Sequence, residues 1–306
     1  MDSEQQASLV RLDASTFQTQ LASLATTIAY KVQREGPSAR SLPPAVATDI
    51  YVLLKQSLRT YDLFCYLNAD ELKGEYLWKP VYTVVALPLI RSMIDCLYNI
   101  TVMLESPREK GLDFRRSGYR HALIALEEDE GKLGHRPEFH RWLAKRREMV
   151  EMGMRRDGFR VEDVLAEKRW PTLGTYIRPA PGTAPTDHQK FLKSLTYGYW
   201  REYSEYAHGT FQGLMHNAAF FIADDASHEL RPDLDVATER MIFLHVTRAA
   251  AVLLCIVTEL QAYFSFEGAR IDERLREIWN ALLAAPEVKD LYDSRYERLM
   301  RDRRIG

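Results

Sequence analysis

Residues 241–266 read MIFLHVTRAAAVLLCIVTELQAYFSF, and as a helix they are apolar on almost every face. Residues 76–105 have the same character. Helices that are apolar all round lie either in the core of a bundle or in a membrane. Arg91 and Asp95 stand in the middle of the second stretch, where each charge would cost roughly 2.5–3.5 kcal/mol in a bilayer. Both stretches therefore predict central helices of a bundle, and we expect no membrane partner.

The composition excludes several functional classes. With 306 residues, 46% hydrophobic and 27% charged, the chain has the make-up of an ordinary globular protein. The 41 basic and 43 acidic residues give a formal charge of −2, so no overall basic field indicates nucleic-acid binding. Three Cys without short spacing exclude a disulfide scaffold and a Cys-rich zinc site, and they suit a reducing compartment. Because the polar N-terminus is unlike a signal peptide, we expect a cytoplasmic protein.

Apolar residues recur every three or four positions through most of the remaining chain, and no alternation typical of a strand persists. This periodicity predicts an all-α fold, a multi-helix bundle with long central apolar helices. We expect a single helical domain over residues 1–306. Its predicted parts are a core (45–105 and 188–266), a charged helical excursion (106–169), a Pro-rich loop (171–187) and C-terminal helices (270–303).

A long amphipathic helix is predicted from His188 to Ile222, with Asp187 as its N-cap. At about 100° per residue, one side of this helix forms a stripe that should be buried. The members of the stripe are Trp200, Tyr203, Ala207, Phe211, Leu214, Ala218 and Phe221.

A polar ridge follows one flank of that stripe and consists of Arg201, Ser204, Glu205 and His208. On the second apolar helix, Arg91 and Asp95 stand one turn apart and are predicted to be mutual partners, because buried charges persist only when paired. Because unpaired charges are costly inside a bundle, we expect these groups to converge on one interior pocket. The alternative is that they form separate structural ion pairs, and the sequence leaves both open.

Two further patterns concern metals and charge. Glu205 and His208 form a Glu-x-x-His pair, which di-iron bundles use in duplicate. The chain has no second such pair, nor a Gly-rich phosphate loop or a His-Glu-x-x-His motif, so we predict no metal and no cofactor. Residues 141–160 are locally basic; we interpret them as a solvated face and leave their role open.

The order of these motifs resembles a known family. Arg91-Ser-Met-Ile-Asp95, followed by Tyr199-Trp-Arg-Glu-Tyr-Ser204 and then His208, is similar to the bacterial domain-of-unknown-function 5677 family. That family pairs an Arg-Ser/Thr-x-x-acid element with a later Tyr-Arg-x-x-Ser-x-x-x-His element, although here Tyr199 stands two residues before the Arg. The resemblance covers about residues 45–105 and 188–265 and implies a bacterial helical protein, without an activity that could be carried over.

More distantly, the spacing of Arg201 and His208 resembles HEPN-type helical ribonucleases, whose signature is an Arg and a His separated by four to six residues. The resemblance implies that Arg201 holds the scissile phosphate, that His208 transfers protons, and that no metal takes part. A guanidinium binds phosphate as a fork and an imidazole titrates near neutral pH, so the division of roles is chemically sound. Glu202, directly after Arg201, departs from the usual pattern.

The sequence thus leaves two functions open. The favoured one is a HEPN-like, metal-independent ribonuclease of a defence or toxin system, with RNA as partner and a homodimer expected. Arg201 and His208 would be catalytic, and the binding residues would be Arg91, Asp95, Ser204, Glu205 and Tyr199. The alternative is a non-catalytic binding or scaffold bundle in which the same ion pairs are structural. Exposure discriminates between them, because a catalytic Arg201 and His208 must face an open groove.

Overall fold

The computed structural model describes residues 14–40, 42–67, 79–208, 210–211, 213–215, 218, 231–268 and 270–302. Over these residues all regular structure is helical, which confirms the all-α prediction. The first helices are α1 (Ala14–Arg34), α2 (Gly36–Ala39), α3 (Pro44–Leu67), α4 (Lys79–Ala86), α5 (Pro88–Glu105), α6 (Lys110–Leu133), α7 (Pro137–Arg156) and α8 (Val161–Ala166). They are followed by α9 (Leu173–Tyr176), α10 (Asp187–Leu195), α11 (Arg201–His208), α12 (Arg231–Phe264), α13 (Ile271–Leu282), α14 (Pro286–Leu291) and α15 (Glu297–Asp302).

Some sequence predictions fall outside the described residues. These are the helical pattern before Ala14, the start of the second apolar stretch at 76–78, the stretch 219–222 and the tail after Asp302.

The centre of the bundle is formed by α12 and α5, as the two apolar stretches predict. Every residue from Ala249 to Gln261 is buried, and α12 packs against α5, α3 and α1. Residues 83–105 and 240–264 have the length and hydropathy to cross a membrane. In their most apolar windows, however, 61% and 78% of the residues are buried inside the fold, and core helices pass the same test of length and composition.

The second apolar stretch is divided into two helices. α4 ends at Ala86 and α5 begins at Pro88, with Leu87 between them. Proline has no N–H to give to a preceding turn and fits best at the first position of a helix, so the division follows from Pro88. The break places Arg91 and Asp95 in the first turns of α5.

The helix predicted over 188–222 is shorter than expected and begins one residue earlier. Thr186, and not Asp187, is the N-cap: its hydroxyl accepts from Gln189 N–H while the Gln189 side chain accepts from Thr186 N–H. A π-helical turn, Thr196–Trp200, joins α10 to α11.

The same helix also ends early, at His208. Thr210 is not helical, and its hydroxyl accepts a hydrogen bond from Gly213 N–H at 3.2 Å, which caps a new turn. The prediction of a buried stripe is wrong at Ala207, Phe211 and Leu214. Leu214 is exposed and Phe211 is 80% exposed, because the helical phase that would bury them stops at His208, whereas Ala207 is exposed within α11 itself. Ala218 is half-buried, and Phe221 lies outside the described residues.

The charged segment packs onto the bundle through α6. Gly111 lies against Val46 of α3. Arg115 bonds both Asp49 and Asp157, and this arginine therefore joins α3, α6 and the end of α7. The Pro-rich loop at residues 171–187 is mostly exposed, but it contacts the bundle.

Two tyrosines hold that Pro-rich loop against α5. The Tyr98 hydroxyl donates to the carbonyl of Pro171, the Tyr176 ring packs on Tyr98 at 5.7 Å, and the Tyr176 hydroxyl donates to Glu105. The loop is thereby anchored to the helix that carries Arg91.

Candidate functional site

The candidate site lies where α11 crosses α5. Trp200, Ser204 and His208 follow one another at intervals of four residues, so they share the face of the helix that meets α5. Arg91 Nη1 donates to His208 Nε2 at 2.8 Å. Since the guanidinium supplies the hydrogen, Nε2 is the acceptor, and a neutral His208 ring therefore carries its own proton on Nδ1.

Asp95 forms the other end of the contact. Trp200 Nε1 donates to Asp95 Oδ1 at 3.0 Å, and Arg91 Nε lies 4.0 Å from Asp95 Oδ2, which confirms the predicted pair in a loose geometry. The Arg91 guanidinium also lies over the Trp200 ring, 5.1 Å from its centroid. Burial raises the pKa of Asp95, while the Trp200 hydrogen bond and the Arg91 charge act in the opposite direction.

Two polar atoms in this contact are buried and form no hydrogen bond: Ser204 Oγ and Arg91 Nε. Buried polar groups are normally satisfied, and each exception indicates a missing water or ligand atom or a local strain. Ser204 stands one turn from both Trp200 and His208, on the face of the helix that meets α5.

Arg201 does not take part in this contact as the sequence suggested. It follows Trp200 by one residue, its side chain is 73% exposed, and its Nε lies 3.9 Å from Glu205 Oε1. The predicted partner of His208 is thus an exposed guanidinium on the same helix, whereas the structure brings a different guanidinium, Arg91, against the imidazole. Arg201 remains available to bind an anion from solvent.

Tyr199 lies away from the Arg91 cluster. Its ring is buried, its hydroxyl donates to the carbonyl of Glu287 at 3.2 Å, and the Arg248 guanidinium lies 5.2 Å from its ring centroid. These contacts give Tyr199 the role of an anchor between α11 and the C-terminal helices.

Glu202, which departs from the family pattern, is bound by Arg248 of α12. Arg248 Nη1 lies 2.9 Å from both carboxylate oxygens. Burial opposes the charge of Arg248, but Tyr203 and Glu202 raise its pKa above the ordinary value. Because Arg248 binds the Glu202 carboxylate, Glu202 does not compete with a phosphate for Arg201. His245, three residues before Arg248 on α12, contacts Tyr203, with Nδ1 2.9 Å from the hydroxyl.

A second ionic cluster lies in the core and was not predicted. His188 Nδ1 lies 3.2 Å from Glu105 Oε1, and Arg295 Nη2 donates to His188 Nε2 at 2.6 Å and to Glu259 Oε2 at 2.8 Å. Lys110 pairs with Glu105 from the surface side. The only signal in the sequence was an acid, Glu259, inside an apolar helix; its partners come from distant segments.

A metal at Glu205 and His208 finds no support in the arrangement. Among the described residues no group of three or more His, Cys, Asp or Glu is placed to hold an ion. His208 Nε2 faces a guanidinium and Glu205 faces Arg201, so each candidate ligand already has a cationic neighbour.

No family model, curated protein or solved structure matches this chain. The resemblance to the domain-of-unknown-function 5677 family and to HEPN-type ribonucleases therefore stays a prediction from the motif residues. The geometry of the site carries the argument on function that follows.

Proposed function

We propose that this protein is a metal-independent ribonuclease, a cytoplasmic bacterial protein of a defence or toxin system. The observation that carries the proposal is the contact of Arg91 with His208, beside an exposed Arg201. It joins an imidazole that can take a proton to two guanidinium groups that can bind a phosphate diester. The homodimer expected from the sequence remains a prediction.

The proposed reaction uses the 2′-hydroxyl of the RNA as nucleophile. When the phosphate binds, it draws Arg91 Nη1 away from His208 Nε2. The freed Nε2 takes the 2′-hydroxyl proton as the O2′–P bond forms and the P–O5′ bond breaks. The 5′-oxygen takes a proton from solvent, and the products are a 2′,3′-cyclic phosphate and a 5′-hydroxyl. Arg91 and Arg201 bind the non-bridging oxygens, whose charge increases in the transition state.

Exposure supports this function over a sealed structural network. Arg201 and His208 are both exposed, as catalysis on a polymer requires. The Arg91 and Asp95 side chains are only partly buried, so a substrate reaches the pair without an opening of the core.

The scaffold function has its own supporting observation. The hydrogen bond from Trp200 to Asp95 links the start of α11 to α5, and the Glu202–Arg248 ion pair links α11 to α12. If the polar residues only hold helices together, the Arg91–His208 contact is a further structural contact between α5 and α11. The protein then does not cleave RNA.

The decisive experiment compares Arg201→Ala and His208→Ala on a labelled, unstructured RNA with EDTA present. Each should lower the cleavage rate by at least about a hundredfold, with thermal stability nearly unchanged. The matched controls are Arg59→Ala, whose side chain is 72% exposed on α3, and His140→Ala, whose exposed ring bonds a backbone carbonyl of Gly134.

An oligomer of DNA should resist the enzyme, because it lacks the 2′-hydroxyl. If the wild-type protein leaves RNA intact at low salt, the ribonuclease proposal fails. If both site variants unfold while the controls stay folded, the scaffold function is supported instead.

A further inference from the structure

The outer face of α7 has no partner within the described fold. On its inner side α7 packs against α6 through the buried residues Leu143 and Met154, and Arg146 pairs there with Asp129. The opposite side is exposed along the whole helix. This is the basic segment to which the proposed ribonuclease site assigns no role.

An apolar stripe follows the exposed face. Trp142, Met149 and Met152 are 47%, 60% and 58% exposed. On a helix they fall within about 80° of one another and cover about 15 Å of its axis. Single exposed apolar residues are common, whereas large aligned ones mark an interaction site. Methionine side chains adapt to the shape of a partner, so they suit such a surface.

Lys145 lies within the stripe, and Arg141 and Arg155 lie along one side of it. Arg141, Lys145 and Arg155 are exposed on the same face, and none of them forms an ion pair with a described residue. Glu148 is the only exposed acid between Arg141 and Arg155. The face therefore combines a narrow apolar line with an excess of unpaired positive charge.

We infer that this face of α7 docks an acidic amphipathic helix of a partner protein. A second helix would bury Trp142, Met149 and Met152 against its own apolar side chains and place its carboxylates opposite the cations. Amphipathic helices are commonly recognised through such apolar anchors at helical spacing. A lipid surface requires a broader apolar face than three side chains in one line. RNA would pair with the cations but leave the methionines unused, and the same face of a second copy would bring like charges together.

The probe for this inference is a labelled helical peptide with Leu at positions three and four apart and Glu on both flanks. We expect the full-length protein to bind it, with an affinity that decreases with salt. The triple variant Arg141→Glu/Lys145→Glu/Arg155→Glu should bind at least about tenfold more weakly, since three attractive ion pairs are replaced by like-charge repulsion. The same variant should gain affinity for a peptide in which Lys replaces every Glu.

A matched variant separates this face from overall charge. Arg40→Glu/Lys193→Glu/Arg301→Glu changes the net charge equally at exposed positions on other elements and should bind the Glu peptide as the wild type does. Met149→Ala/Met152→Ala should weaken binding without changing its salt dependence. The inference fails if the Glu peptide does not bind, if the wild type prefers the Lys peptide, or if the control triple variant loses affinity equally. It also fails if phosphatidylglycerol vesicles or an unstructured RNA bind this face and the Glu peptide does not.

Discussion

Arg91 Nη1 lies 2.8 Å from His208 Nε2, although 117 positions separate the two residues in the chain. The contact exists because α5 and α11 cross, with Trp200 and Asp95 closing the other end of the crossing. A guanidinium that binds an imidazole, a carboxylate and an aromatic face at once is held in one orientation. That fixed orientation makes the site testable by single substitutions.

Arg91→Ala should lower RNA cleavage by at least about a hundredfold, because it removes a donor that is oriented before the substrate arrives. The ¹⁵N resonance of His208 Nε2 should also shift as the nitrogen loses its hydrogen bond, whether or not the protein is an enzyme. Ser92→Ala is the control: the next residue on α5, it accepts from Gln56 at 2.8 Å and does not bond His208. An unchanged Nε2 resonance in Arg91→Ala would contradict the contact itself.

Trp200→Phe keeps an aromatic ring beneath Arg91 but deletes the indole N–H that bonds Asp95. Because that hydrogen bond lowers the pKa of Asp95 against the effect of burial, the pKa should rise further in the variant. The lost bond should cost about 1–2 kcal/mol of stability. Carboxyl NMR titration and urea denaturation measure the two effects, and Trp142→Phe on the exposed face of α7 should show neither.

Gly111 and Gly118 test how α6 is attached. A Cβ at Gly111 would lie 2.6 Å from Cγ1 of buried Val46, whereas a Cβ at Gly118 would meet nothing within 4 Å. Gly111→Ala should therefore destabilise the fold by about 1–3 kcal/mol. Gly118→Ala should stabilise it by up to about 1 kcal/mol, since alanine favours the helix. Equal effects at the two positions in chemical denaturation would argue against the packing of α6 on α3.

Glu259 and Arg295 form a buried pair whose members depend on each other. Removing either partner alone, as Glu259→Met or Arg295→Met, leaves an uncompensated buried charge and should cost about 3–5 kcal/mol. The double variant should cost less than either single one, because both charges leave together. A double-mutant cycle by urea denaturation gives the coupling, and simple additivity of the two losses would refute the pairing.

The same cluster predicts sensitivity to acid. Burial opposes ionisation of Glu105 and Glu259. Hydrogen bonds from His188 and Lys110 to Glu105, and from Arg295 to Glu259, outweigh it and lower each pKa from 4.5 to about 2. A carboxyl with a lower pKa in the folded state stabilises the fold above its unfolded pKa, and this contribution is lost as the pH falls through the folded value. The free energy of unfolding should therefore fall as the pH decreases from 4.5 to about 2.

Glu259→Gln removes one of the two titrating groups from that range. Its free energy of unfolding should depend less steeply on pH between 4.5 and about 2 than that of the wild type. Urea denaturation at a series of pH values measures both slopes. Identical slopes would show that Glu259 titrates normally in the folded protein.

The helical class and the central position of α5 and α12 were predictable from sequence, because hydrophobic periodicity is a local property. A helix that is apolar all round must be buried, whatever it packs against. The pairing of Arg91 with Asp95 was predictable for the same reason, since residues four apart on a helix are neighbours. The division of this stretch at Pro88 was not predicted, although it follows from the missing N–H of proline.

The end of α11 at His208 was not predictable from periodicity. Apolar residues continue at helical spacing as far as Phe221, but Thr210 caps a new turn and Phe211 is left exposed. A local hydrogen bond from a backbone N–H to a hydroxyl competes with one more turn of α11, and the free-energy difference between the two is too small for a sequence pattern to decide.

Only the tertiary structure decided which charges meet. The sequence paired His208 with Arg201 because they share a helix, whereas the fold places Arg91 against the imidazole and leaves Arg201 exposed beside Glu205. It likewise assembled Glu105, His188, Glu259 and Arg295 from four separate segments. Residue spacing specifies the face of a helix, but the partner of that face depends on the crossing of helices far apart in the chain.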